Sequence, residues 1–159
     1  MARRALDPYP NHNFEFILEI GGLQAAGFAE CNGLQMETKL FQYKEGGRNE
    51  TTLQFPEHTS YGNITLKRGI TFSDNVLYEW HKDIVTGQFS KNSRSPSTLR
   101  KNAKSTAIIL LDEQKKKEVR RWTLIGAIPV KWVGPDLKAT GNEIAIETLE
   151  IAHEGIEIG

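Results

Sequence analysis

Cysteine is almost absent from this sequence. Among its 159 residues the chain has one cysteine, Cys31, so it cannot form an internal disulfide. This usage is typical of a reducing compartment, because small secreted domains more often depend on disulfides. No basic residue adjoins Cys31 along the chain to lower the pKa of its thiol. We therefore interpret Cys31 as a buried structural residue.

Neither sign of charge dominates the composition. Acidic and basic residues number 20 each, so no global field attracts the protein to nucleic acid or to an anionic membrane. No apolar run approaches the roughly 20 residues of a membrane helix, and we expect no membrane insertion by this chain. Residues 1–12 contain two arginines with no apolar segment after them, which indicates an N-terminal arm and not a secretory signal.

Helical periodicity is also scarce. One segment, residues 73–87, repeats apolar residues at three- and four-residue steps, namely Val76, Leu77, Trp80 and Ile84. Ser73 or Asp74 can cap the start of this helix, and Gly87 can end it. A helical bundle is therefore excluded as the fold.

Alternating apolar and polar residues fill most of the remaining chain and predict strands. The predicted strands are 13–20, 23–30, 35–45, 50–55, 63–72, 105–113, 117–133 with a kink or bulge at Pro129, and 142–158, in which the large apolar residues change face. Residues 1–159 are enough for one domain. We predict a mainly β protein: a single antiparallel β-sandwich or barrel-type domain with one flanking α-helix.

Two polar segments stand apart from this pattern. Residues 36–55 resemble a hairpin arm whose tip is the charged, glycine-containing stretch "YKEGGRN" and whose second strand ends at Pro56. Residues 88–104 carry five basic residues and no acidic one, which predicts a basic loop. Both segments are candidates for contact with a partner.

Residues that could carry chemistry do not form a recognisable pattern. The four histidines are widely separated, unlike zinc ligands, and the "EGGRN" stretch lacks the phosphate-loop pattern. The carboxylates at alternating strand positions indicate a solvated or partner-facing side; they are Glu15, Glu19, Glu143 and Glu147. We predict no catalytic, cofactor or metal site, no cofactor, and no enzymatic activity. Exposed strand edges instead favour an interaction protein.

Several segments together resemble the tail-tube family of contractile phage tails and extracellular contractile injection systems. The segments are "DPYPNHNFEFILEI", "AGFAECNGL", "YKEGG", "YGNITLKRGIT", "DNVLYEWHKDI", "IILLDE", "IPVKW" and "GNEIAIETLEIAHEGIEI". Their order and spacing match the family over nearly the full chain. The "NITLKRG" and "NEIAIETLEIAHEG" blocks together make the resemblance specific.

The resemblance implies a structural subunit of an inner tube. Such a subunit forms a hexamer whose inner strands join into a ring-wide barrel, and the rings stack into a hollow tube. The implied partners are further copies of the chain, sheath, baseplate and terminator or cap proteins, with cargo, a tape-measure protein or DNA in the lumen. The implied place is a phage virion tail or a released injection particle, assembled in the cytoplasm.

The resemblance also assigns roles to the two polar segments. The hairpin tip is expected to dock on a neighbouring ring or subunit through Tyr43, Lys44, Glu45, Gly46, Gly47, Arg48, Asn49 and Glu50. The basic loop lengthens the family's usual connection after the helix, so its direction stays open between sheath, neighbouring ring and lumen. Its candidate contacts are Arg94, Arg100, Lys101 and Lys104.

Two alternatives stay open at this stage. A baseplate-proximal tube initiator or tip-adaptor paralogue shares most of the same motifs. A monomeric β-sandwich binding module would instead need an exposed aromatic platform, for which Trp122 and Trp132 are candidates because they fall in strands where either face is possible.

Overall fold

A computed structural model describes residues 14–47, 51–70, 75–89, 105–112, 117–141 and 144–159. Its elements, in chain order, are β1 (Phe14–Ile20), β2 (Leu23–Phe28), β3 (Glu30–Asn32), β4 (Met36–Tyr43), β5 (Leu53–Tyr61), β6 (Ile64–Gly69), α1 (Val76–Phe89), β7 (Thr106–Asp112), β8 (Glu118–Ile125), β9 (Ile128–Val133), β10 (Ile146–Ala152) and β11 (Gly155–Ile158). The predicted mainly β architecture with one helix is confirmed.

The strands form two larger sheets and a separate hairpin. The five-stranded sheet has the order β11-β8-β7-β1-β2, the four-stranded sheet has the order β3-β6-β10-β9, and β4 pairs with β5. Neighbouring strands in both larger sheets run antiparallel. Among the described residues both larger sheets are open, with a free strand at each edge.

The main core lies between the two larger sheets. Leu18 and Ile108 from the five-stranded sheet pack in one cluster with Leu66 and Leu149 from the four-stranded sheet. The strand alternation explains this, because each strand places every second side chain on the same face. A second, smaller cluster of Ala107, Ile109 and Leu111 uses the opposite face of β7.

Helix α1 packs against the same core. Leu77 and Trp80 are buried in the main cluster, and Ile84 is buried one turn further along. Tyr78 meets Trp132 of β9 edge to face, with ring centroids 5.3 Å apart. The amphipathic pattern therefore located the helix correctly, but the helix runs through Gly87 to Phe89. Both proposed caps, Ser73 and Asp74, lie outside the described residues.

Two predicted strands are divided between the sheets. The segment 23–30 becomes β2 in the five-stranded sheet, and β3 joins the four-stranded sheet from residue 30 onward. The segment 117–133 likewise ends as β8 at Ile125 and restarts as β9, which pairs with β10. The prediction of single strands was wrong in both places, because alternation does not indicate which sheet a strand joins.

Glu147 was expected on a solvated face, but it is buried. Arg68 Nε donates to Glu147 Oε1, and Trp132 Nε1 donates to Glu147 Oε2 at 3.1 Å. The expectation was wrong because Glu147 follows the inward alternation of Leu149 and Ile151. A buried charge is tolerated where it is paired and hydrogen-bonded, as it is here.

Glu19, also expected on a solvated or partner-facing side, is paired within the chain. It accepts hydrogen bonds from Arg121 at 2.9 and 3.2 Å, and Arg121 also donates to Glu118. The hydrogen bond from Arg121 lowers the pKa of the Glu118 carboxyl, and the two carboxylates raise the pKa of Arg121. These charges lie on the face of the five-stranded sheet opposite the main core.

Candidate assembly surfaces

The hairpin arm consists of β4, β5 and the turn between them. Tyr43 lies opposite Leu53 and Phe41 lies opposite Phe55, while Met36 and Tyr61 pair at the base. Thr38 and Thr59 also face each other, with their hydroxyl oxygens 3.0 Å apart. Every described residue between Met36 and Ser60 is exposed. The described part of the chain therefore covers neither face of the arm.

The arm continues beyond Pro56, where the sequence was expected to end it. Leu40 pairs with Pro56 and Lys39 pairs with His58, so Glu57 is an additional residue at a bulge. Proline is compatible with strands at edges and bulges, because its missing N–H is not needed there. The expectation that Pro56 ends the arm was therefore wrong, and the second strand reaches Tyr61.

An apolar surface lies near the tip of the arm. We define the tip patch as Phe41, Tyr43, Leu53 and Phe55, which share one face because the two cross-strand pairs are two residues apart. Their exposed fractions lie between 40% and 55%. An isolated two-stranded hairpin is at best marginally stable in water, and clustered exposed apolar side chains mark interaction sites. The exposure of the tip patch is therefore typical of an interaction surface.

The predicted contact residues lie at the end of the same arm. Tyr43 belongs to the tip patch, Lys44 and Glu45 are exposed beside it, and Gly46 and Gly47 form the turn. Gly47 has a φ of 105°, a region that other residues rarely adopt. Arg48, Asn49 and Glu50 lie outside the described residues. The other tip-patch residues, Phe41, Leu53 and Phe55, were not predicted as contacts, although their apolar side chains are evident in the sequence of both strands.

Polar contacts hold the base of the arm to the four-stranded sheet. His153 Nε2 lies 3.0 Å from Gly62 O, and His153 Nδ1 lies 3.2 Å from Gly155 O. The ring of Tyr61 lies 5.5 Å from the His153 ring, measured between centroids. Next to Gly62, Asn63 Nδ2 donates to Glu150 Oε1 at 2.7 Å. The exposed arm thus starts from a fixed base.

The outward face of the four-stranded sheet is mostly polar. Lys67 Nζ lies 2.8 Å from Glu30 Oε2, and Lys131 pairs with Glu150 in the register of β9 and β10. Thr65 and Thr148 occupy positions between these charges, on the same face. Each acidic residue named here has a basic residue beside or opposite it, so the charge of this face is balanced.

A second exposed apolar surface lies near one end of the four-stranded sheet. We define the far patch as Ile70, Leu137, Ile144 and Ile146, with exposed fractions between 43% and 86%. Ile70 N donates to Ala145 O at 2.9 Å, which joins the end of β6 to the chain before β10. An open cleft of about 340 Å³ lies beside it, lined by Asp136, Leu137, Lys138, Ala139 and Ala145.

The remaining predictions concern chemistry. Within the described ranges no three histidine, cysteine or acidic residues lie together as metal ligands, and no helix is long and apolar enough to cross a membrane. Burial raises the pKa of the Cys31 thiol to about 11. The basic-loop candidates Arg94, Arg100, Lys101 and Lys104 lie outside the described residues. Trp122 and Trp132, the candidates for an aromatic platform, pack against the main core instead.

A β-sandwich with an exposed hairpin arm and two exposed apolar patches is typical of a subunit that assembles with other chains. A model of the T4-like virus tail tube protein gp19 family matches residues 12–157. The chain therefore belongs to this family and is a structural subunit of the tail-tube type. No curated protein matches the chain directly by sequence.

Solved structures of similar fold come from contractile injection systems. A chain from the tube-terminating cap of the anti-feeding prophage is 24% identical, with a TM-score of 0.74 over 99% of this chain and 95% of that one. A chain from that prophage's baseplate is 25% identical, with a TM-score of 0.69 over 98% and 97%. One from the sheath-tube complex of an extracellular contractile injection system, PVC, is 21% identical, with a TM-score of 0.74 over 96% and 93%.

Proposed function

We propose that this chain forms stacked hexameric rings that build the hollow inner tube of a contractile phage tail or contractile injection system. The observation that carries the proposal is the hairpin arm, whose apolar residues the described part of the chain does not cover. Clustered exposed apolar side chains of this kind mark an interaction site. Further copies of the chain supply that cover in a tube.

The order of the four-stranded sheet supports ring formation. Its edge strands, β3 and β9, run in opposite directions, because each of the three pairings between them is antiparallel. When copies are related by rotation about a ring axis, β9 of one copy meets β3 of the next in antiparallel orientation. Pairing at these edges closes the sheets into one barrel and removes the free edges. The polar face would then line the lumen.

The proposed partners follow from the structures that resemble this chain. Those structures include a sheath-tube complex, a baseplate and a tube-terminating cap. We infer that this chain contacts sheath, baseplate and terminator proteins, and that cargo, a tape-measure protein or DNA passes through the lumen. We also infer assembly in the cytoplasm into a virion tail or a released particle, without membrane insertion and without enzymatic activity. Membership of a structural family supports these inferences.

We assign the contact between rings or subunits to the arm tip, residues 43–50, as the family resemblance implies. The uncovered tip patch beside these residues supports the assignment. For the basic loop we propose contact with sheath, neighbouring ring or lumen through Arg94, Arg100, Lys101 and Lys104. Replacing these four residues by glutamine should alter cargo or DNA passage if the loop faces the lumen, and unchanged passage would exclude that position.

Electron microscopy of the protein expressed alone, over a range of concentrations, tests the proposed assembly. Stacked annular tubes are expected for the bulk tube protein, whereas isolated rings indicate the alternative, a baseplate-proximal tube initiator or tip-adaptor paralogue. A strict monomer at every concentration would contradict self-assembly and would favour a monomeric binding module.

A matched pair of glycine variants tests the arm. Gly47→Val places a branched side chain at a φ of 105° and should distort the tip and weaken stacking. Gly46→Ala is the control, because a Cβ at Gly46 meets nothing within 4 Å and its φ is not in the positive region. If Gly47→Val stacks as well as Gly46→Ala, the arm tip is not the stacking contact.

A further inference from the structure

The arm leaves the four-stranded sheet at one end. Its first strand follows Gly33, and its second strand returns at Gly62 and Asn63, just before β6 begins at Ile64. The two connections are in close contact, because a Cβ added to Gly33 would overlap the carbonyl oxygen of Asn63. Both strands of the arm therefore start from the end of the sheet where β6 begins.

The far patch lies at the opposite end of the same sheet. Strand β6 ends at Gly69, which pairs with Ile146, and Ile70 follows directly. A Cβ on Gly69 would lie 3.4 Å from Ile144 Cγ2, so Ile144 covers this end as well. The six residues of β6 span roughly 20 Å, which separates the base of the arm from the far patch.

We propose that the far patch, with its cleft, receives the tip patch of a second copy of this chain. Two different surfaces of one subunit form a heterologous contact, which repeats without closing when copies are related by translation. This is the contact that stacking requires, so the inference rests on the proposed tube and identifies the acceptor of the arm.

The chemistry of the two surfaces fits this pairing. The tip patch offers two phenylalanines, a tyrosine and a leucine, and the far patch offers three isoleucines and a leucine. The cleft of about 340 Å³ falls within the size range of pockets that bind ligands. Exposed charged residues of both signs border both surfaces among the described residues: Lys44 and Glu45 on the arm, and Asp136 and Lys138 at the cleft.

A second copy accounts for both surfaces at once. An unrelated partner on the arm would leave the far patch exposed, and an unrelated partner on the far patch would leave the tip patch exposed. A tube protein also has to meet its own copies at both ends, and among the described residues the base of the arm and the far patch lie at opposite ends of strand β6.

Disulfide cross-linking tests the pairing directly. In Phe41→Cys/Leu137→Cys, mild oxidation should give a ladder of multimers on a non-reducing gel, because each copy carries both halves of the contact. The protein is oxidised at a concentration high enough to offset the contact weakened by the two substitutions. Cross-linking needs Cα atoms within about 7 Å, so it reports close apposition. The native thiol interferes little, since Cys31 is partly buried with a pKa of about 11.

Two controls show whether the ladder comes from contact between the tip patch and the far patch. A mixture of the two single variants should give cross-linked dimers but no larger multimers, because each copy then has only one thiol at the contact. Phe41→Cys/Ile158→Cys moves the second thiol to the exposed end of β11 on the five-stranded sheet and should give no ladder. Dimers from Phe41→Cys alone would indicate contact between two arms and would overturn the proposal.

Leu137→Asp and Ile144→Asp provide an independent measurement. Both side chains are exposed, so the monomer should fold normally, and the concentration needed for tubes should rise by about tenfold or more. Ile158→Asp is the matched control and should leave that concentration unchanged. Tubes that form normally with both patch variants would overturn the acceptor while leaving the proposed tube intact. Absence of any tube or ring from the unmodified protein would overturn both.

Discussion

The body of the protein and its hairpin arm place the same kinds of residue in opposite environments. In the body, Ile64, Leu66 and Leu149 are at most 1% exposed, whereas Phe41 and Phe55 of the arm are more than half exposed. Both regions are antiparallel strands with regular pairing. The difference teaches that alternation predicts a strand but does not say which chain will cover it. The core strands of the body bury their apolar residues against one another, whereas the described part of the chain leaves those of the arm exposed.

The largest expected effect lies at the buried ion pair of the body. Arg68→Met removes the guanidinium that donates to Glu147 and leaves that carboxylate buried, with a hydrogen bond from Trp132 Nε1 at 3.1 Å. Removing one partner of a buried pair typically costs about 3–5 kcal/mol of the free energy of unfolding. Chemical denaturation of the dispersed subunit measures this loss.

The double variant Arg68→Met/Glu147→Leu is the control for that experiment. It removes both charges, so most of the lost stability should return, because replacing a buried pair by apolar residues is often neutral or stabilising. If Arg68→Met alone changes the free energy of unfolding by less than about 1 kcal/mol, the pair is effectively solvated and the description of it as buried is wrong.

The second prediction compares the two regions directly. Leu66→Ala in the body should cost about 2–5 kcal/mol in the unfolding free energy of the subunit, because it leaves a cavity in the core. Phe41→Ala in the arm should change that free energy by about 0.5 kcal/mol or less, because the ring is exposed. Tube formation, measured by pelleting, should instead be impaired by Phe41→Ala. Equal destabilisation of the subunit by both variants would contradict an uncovered arm.

Sequence patterns located most strands and the helix, but they did not assign the sheets or the uncovered surfaces. The alternation over 13–20 predicted β1 closely, because Leu18 and Ile20 both face the core. The sequence did not predict that β3 and β9 lie in the other sheet from the strands that precede them, β2 and β8. The alternation of a strand is the same whichever sheet the strand joins. Burial of Glu147 was missed because its partner, Arg68, is 79 residues away along the chain.

The hairpin itself was predicted from the sequence, and its described tip residues are exposed. Its role as a contact stays a prediction, and the sequence pattern singled out the charged residues of the tip but not the apolar residues Phe41, Leu53 and Phe55. The far patch was missed entirely, because Ile144 and Ile146 resemble ordinary strand residues. Exposure depends on what packs above a residue, and sequence periodicity carries no information about that.

The third prediction concerns the joint between the two regions. Gly33→Ala introduces a Cβ at a φ of 92°, where it would also overlap the carbonyl oxygen of Asn63. Strain of this backbone type alone costs about 1–2 kcal/mol, and the overlap adds to it. Gly47→Ala is the control, because it has a φ of 105° but nothing within 4 Å of its Cβ. Thermal melting should show the larger loss for Gly33→Ala, and equal losses would mean that the joint is not closely packed.

The smallest expected effect concerns the alkylation rate of cysteine thiols. This rate shows whether a single sulfur atom is accessible to solvent. Burial raises the pKa of Cys31 to about 11, so little thiolate exists at pH 8 and alkylation should be slow. A cysteine placed in the arm by Leu53→Cys is exposed and should react about a hundredfold faster, since an ordinary thiol has a pKa near 8.5. Because the folded state of Cys31 holds its proton more tightly than the unfolded state, its contribution to stability is complete below about pH 9 and declines as the pH rises toward 11. In assembled tubes the Leu53→Cys thiol should become slow as well, while Cys31 stays unchanged. An arm thiol that reacts equally fast in tubes and in free subunits would show that assembly leaves the arm uncovered.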